Sequence, residues 1–129
     1  MIAIPCRVKV PIYDYNIQLV VTDEILKYII DNDITELEKG ETFKAIVVQT
    51  TTTEVFPYSW VCIFDVKHLQ ENVIVHEVTH LVAQIFRALE TPLIDETEEV
   101  YAYLTEYLYK VFRQRTIEAK GVFYGNKDT

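Results

Sequence analysis

The sequence predicts an α+β domain, a small sheet packed against helices. Three observations predict it. Short alternating or β-branched runs cluster in the first half of the chain, as strands require. Three longer stretches carry apolar residues at the spacing of a helix face. Half of the 129 residues are hydrophobic, with only 3 Gly and 4 Pro, which excludes a disordered or loop-dominated chain.

Arg7-Val8-Lys9-Val10 and Ile17-Gln18-Leu19-Val20-Val21 read as two strands joined near Asp14-Tyr15-Asn16. Asp23 is the N-cap expected for a helix from Glu24 to about Glu38, where Ile25, Leu26, Ile29, Ile30, Ile34 and Leu37 recur at helical spacing and Gly40 ends the run. Thr42 to Gln49 reads as a strand, with Phe43, Ala45 and Val47 alternating against Lys44 and its neighbours. Thr50 to Glu54 reads as a turn. Val55 to Phe64 reads as the next strand, and Pro57, with no N–H for a ladder, marks it as an edge or bulged strand. A helix follows from about Leu69 to Leu89, and Thr91-Pro92 breaks it. Asp95 starts a last helix to about Arg115. The order β-β-α-β-β-α-α implies one domain over 1–115, its antiparallel or mixed sheet set against helices, with 116–129 as a polar tail in which Val122-Phe123-Tyr124 is a docking segment.

The charge of −8 argues against a nucleic-acid partner, which demands clustered Lys and Arg. The longest apolar stretch, Val73 to Leu89, is interrupted by His76, Glu77, His80 and Arg87, so no membrane span is expected. Met1-Ile2-Ala3-Ile4-Pro5 is too short for a signal-peptide core, and Arg7 and Lys9 follow at once, so residence in the cytoplasm is expected. Cys6 and Cys62 stand alone and far apart, which reads as two free core thiols in a reducing compartment.

His76-Glu77-Val78-Thr79-His80 carries the chemistry. In a helix, residues four apart share a face, so the two imidazoles can bind one metal ion. Glu77 sits beside that face, where a carboxylate can take a proton from a metal-activated water. A shuffled chain of this composition would contain the motif about 0.005 times, so chance is a poor explanation. Ile74, Val75, Leu81 and Val82 flank it, giving the helix an apolar back to bury.

A zinc ion bound by two histidines takes a third protein ligand and keeps a position open. Ala83 and Phe86 stand where a metzincin would have Gly and His, so that class is excluded. The donors left are Asp95, Glu96, Glu98 and Glu99. On the last helix the expected core stripe is Val100, Tyr103, Leu104, Tyr107, Leu108 and Val111, with Glu99 on its flank under Tyr103. Asp95 and Glu98 fit a capping box, which leaves Glu99 as the leading ligand and Glu96 and Glu98 as alternatives.

The histidine motif, followed by Glu99-Val100-Tyr101-Ala102-Tyr103-Leu104, resembles the small zincin-like, gluzincin-type metallopeptidases encoded by phages and prophages. The resemblance covers about residues 55–112. It implies a minimal zincin-like domain, zinc (Zn2+), and hydrolysis of a peptide or protein substrate, with His76, His80 and Glu99 as ligands and Glu77 as the base. The larger gluzincins have a carboxylate one turn after the ligand Glu, and here that position is Tyr103, which alters the support of a zinc-bound histidine. Tyr103 is then the nearest candidate to donate to the oxyanion, with His68 behind it. Phe56 and Trp60 lie on the strand expected to pair with substrate, where they could line a side-chain pocket, although core packing is the safer reading of both. The competing expectation is a non-catalytic zincin-like module of phage structure or self-assembly. The implied setting is a bacterial or phage-infected cytoplasm, or a virion.

Overall fold

A computed structural model describes residues 1–10, 13–34 and 43–125. Its strands are β1 (Ala3–Lys9), β2 (Asn16–Thr22), β3 (Ala45–Gln49) and β4 (Trp60–Asp65). Its helices are α1 (Ile25–Asp31), α2 (Glu71–Ala88) and α3 (Glu98–Tyr124), with a single 3-10 turn at Val66–His68. The four strands form one sheet in the order β1-β2-β4-β3. The fold is α+β, as expected, and the sheet is mixed: β2 and β4 run parallel, and the two outer pairs run antiparallel.

Alternation along the strands explains the layers. Ile17, Leu19 and Val21 of β2 join Trp60, Cys62 and Phe64 of β4 in the main core, against Val78, Leu81, Val82 and Ile85 of α2 and Leu104, Leu108 and Phe112 of α3. Val20, Val61 and Ile63 point to the other face and meet Ile25, Tyr28 and Ile29 of α1. Strand β4 is therefore buried on both faces, which is why its sequence is a continuous apolar run rather than an alternation.

That burial corrects the strand expected over 55–64. The strand begins at Trp60 and lies inside the sheet, while residues 53–56 form a turn held by Thr53 and Phe56. Pro57 precedes the ladder and so costs it no hydrogen bond. The edge strand is β3. It starts at Ala45 rather than at 42, and Thr42 lies outside the described residues.

Both ends of α1 and both ends of α3 also differ. Asp23 does not cap α1; its carboxylate accepts from the Ile2 N–H at 2.9 Å, and Glu24 stands at the N-cap. The helix stops at Asp31 because Asp33 takes a left-handed conformation, φ 51°, and the Ile34 N–H returns to the Ile29 carbonyl. The remainder of the expected helix, residues 35–38, lies outside the described residues. Helix α2 closes in the same way at Glu90, φ 54°, where the Thr91 N–H reaches the Phe86 carbonyl.

The last helix begins at Glu98 instead of Asp95. Thr97 occupies the N-cap without a side-chain cap bond, since its hydroxyl is spent on the Pro92 carbonyl at 2.6 Å, so the Asp95–Glu98 capping box does not form. It ends at Tyr124 instead of Arg115. Thr116 and Ala119 are buried and Phe123 packs on the main core, so residues 116–124 are helix rather than tail. Residues 126–129 lie outside the described set. Among the described residues no helix is long and apolar enough to cross a membrane. Cys62 is buried, Cys6 is half-buried, and both are free thiols.

Candidate metal centre

Helix α2 lays its apolar side on the sheet and on α3, and leaves the opposite side to solvent. His76 and His80 stand on the open side, both exposed. Their Nε2 atoms are 3.1 Å apart, and the rings meet edge to face at 77°. Two nitrogens about 2.05 Å from a tetrahedral zinc would be about 3.3 Å apart. The observed separation is close to that value, and it is also the length of one N–H···N hydrogen bond between the rings.

Glu77 lies between the histidines and the sheet and is only 8% exposed. Burial raises its pKa above the usual carboxylate range, while the positive forms of His76 and His80 pull it back. The thiol of Cys62 on β4 is pushed well up by complete burial and, second, by the Glu77 charge. A carboxyl partly desolvated in this way takes up a proton more readily than a solvated glutamate does, which suits a proton acceptor.

A cleft of about 420 Å³ opens in front of Glu77. Its walls are Phe43, Lys44 and Ala45 at the start of β3, and Asn72, Val73, His76 and Glu77 of α2. A larger hollow, about 500 Å³, lies on the α1 side of the sheet and contains no histidine. Strand β3, whose outer edge has no strand partner among the described residues, therefore borders at its start the cleft that holds Glu77.

The carboxylates of α3 do not reach this place. With Glu77 as zero and about 100° per residue, His76 and His80 project at about −100° and −60°. Val75, Val78 and Phe86, which line the contact with α3, project at about 100 to 180°. Helix α3 thus covers a different face of α2, about 80 to 160° round from the histidines. The axial level is also wrong. Phe86 meets Tyr101 and Glu71 holds Arg113, so Glu99 falls level with the end of α2 at Ala88, roughly 12 Å along the axis past His80. Glu96, Glu98 and Glu99 are exposed. Among the described residues, no three His, Cys, Asp or Glu side chains come together as a metal-binding group.

The other expected residues are placed as follows. Tyr103 is 53% exposed and contributes nothing to the cleft wall; the core stripe of α3 is Leu104, Leu108 and Phe112. His68 is exposed at the end of the 3-10 turn. Trp60 is buried core and donates from Nε1 to Gln84 Oε1 at 3.0 Å. Phe56 packs with the α1 cluster. Lys44 and Asn72 are the cleft residues that sequence reasoning missed. Lys44 sits 32 positions before the motif (76 minus 44), and nothing local to it signals that β3 will lie along α2. No protein-family model matches the chain, and comparison with curated proteins and with solved structures gives no match.

Proposed function

We propose that this chain is a zinc-dependent peptide hydrolase built on a minimal zincin-like domain. The observation that carries the reading is the 3.1 Å approach of His76 and His80 with the buried carboxyl of Glu77 between them and the sheet. In this reading His76 and His80 supply two of the metal's ligands, and Glu99 is left out of the set, because no third His, Cys, Asp or Glu joins the pair among the described residues. When bound, zinc supplies Lewis acidity that polarises a carbonyl and acidifies water. Glu77 then acts as general base, taking the proton of the attacking water and passing it to the leaving amine. The open edge of β3 offers backbone groups to an extended peptide, so the pairing strand is β3 rather than the strand that contains Trp60. The motif's likeness to the small phage and prophage metallopeptidases supports the metal and the reaction class.

A second reading has one observation in its favour. Only two metal donors converge among the described residues, which suits a metal-stapled scaffold or assembly module without turnover. The Glu77→Gln variant separates the two. In the hydrolase reading it keeps zinc and loses hydrolysis of a peptide library by about 100-fold or more. Equal turnover in the two proteins refutes the role of Glu77, and zinc binding without any turnover in the wild type favours the scaffold.

A further inference from the structure

Resting on the hydrolase reading of this cleft, we propose that Lys44 anchors a free α-carboxylate, so that the preferred substrates are peptides cut at their C-terminal residue. Among the described residues Lys44 is the single Lys or Arg in the cleft wall, which it shares with His76 and Glu77 of α2. Among the described residues Lys44 has no ion-pair partner, as is also true of Lys9, Lys67, Lys120, Arg7 and Arg87, and of these six cations it is the one that lines the cleft with Glu77. Its backbone is fixed, because the Lys44 carbonyl accepts the Asp65 N–H at 3.0 Å. The stem of the side chain therefore starts from a set place while the ammonium stays free to bind.

The surroundings select the ligand. A chain of net charge −8 repels anions overall, so an anionic substrate needs a local cation to hold it. An ammonium meeting a carboxylate makes a charge-assisted hydrogen bond. Phe43, Ala45 and Val73 give the cleft apolar walls, and its volume of about 420 Å³ suits one or two residues rather than a long segment. The amide of Asn72 can donate to, or accept from, the substrate backbone. An apolar C-terminal residue fits, its side chain on the walls and its carboxylate at Lys44. The scissile bond is then the last amide. Water oxygen bonds to the carbonyl carbon, the C–N bond breaks with its electron pair going to nitrogen, and the proton taken by Glu77 follows it. The products are a shortened peptide and a free amino acid.

The test compares N-acetyl-alanyl-phenylalanine with its C-terminal amide. Binding to the zinc-loaded Glu77→Gln protein is followed by NMR titration, and cleavage by the zinc-loaded wild type is followed by chromatography. The free acid should bind about tenfold more tightly than the amide. Lys44→Met should erase that difference and Lys44→Arg should keep it. Lys44 is exposed, so neither substitution threatens the fold. Equal binding of acid and amide, or a preference that survives in Lys44→Met, overturns the anchor. Acid-selective binding through Lys44 with no cleavage upholds the anchor and overturns the hydrolase reading. Cleavage of acid and amide at equal rates upholds the hydrolase and overturns the anchor.

Discussion

Glu77→Gln should make the metal-free protein more stable at neutral pH, in opposition to its effect on turnover. The Glu77 carboxyl is 8% exposed, and burial raises its pKa in the folded chain. The folded state therefore holds a proton that the unfolded state releases more readily. Stability from this group is greatest below the ordinary glutamate value and falls as pH rises through the higher folded one. At pH 8 the wild type carries the full cost of a partly desolvated charge, and glutamine of the same shape does not. Removing such a functional strain commonly gains about 0.5–2 kcal/mol. With an unfolding entropy of about 2.1 cal/mol/K per residue, 129 residues give about 0.27 kcal/mol/K. The melting temperature should then rise by about 2–7 °C. Differential scanning calorimetry in a chelator, at pH 4 and pH 8, measures this. The gain should be present at pH 8 and absent at pH 4, where the wild-type carboxyl is protonated and costs nothing. A variant less stable than the wild type at pH 8, or a gain independent of pH, would refute the claim that Glu77 is held at a desolvation cost.

Two further outcomes follow from the packing. A stop codon after Arg115 removes buried Thr116 and Ala119 and the packed Phe123, which should cost about 2–3 kcal/mol and lower the melting temperature by about 7–11 °C; a dispensable tail would leave it unchanged. Gln84→Leu strands the indole N–H of buried Trp60, so a denaturant titration should show a loss of about 1–3 kcal/mol, and a neutral result would mean that water replaces the amide.

The elements themselves were legible because each carries its own periodicity. The 3.6-residue pattern of Ile74, Val78, Leu81, Val82 and Ile85 announces α2, and it places His76 and His80 on the open face without any knowledge of the neighbours. What periodicity does not encode is which neighbour covers which face. The place of Glu99 on the flank of α3 is legible in the sequence, but the face of α2 that α3 covers, the one with Val75 and Val78, is not. The apolar run of β4 resembled an edge strand through Pro57, yet burial on both faces is what such a run requires. The α3 extension escaped notice because Thr116 and Ala119 are weak apolar markers beside Arg115, Glu118 and Lys120. The cleft wall of Phe43, Lys44 and Ala45 depends on β3 lying beside α2, a contact between segments about 30 residues apart.

Zinc titration against a chromophoric chelator tests the central claim most directly, on the wild type and on His76→Ala, His80→Ala and Glu99→Gln. The geometry predicts one zinc per wild-type chain, binding abolished in either histidine variant, and unchanged affinity in Glu99→Gln. Zinc retained in His76→Ala, or lost in Glu99→Gln, would contradict it.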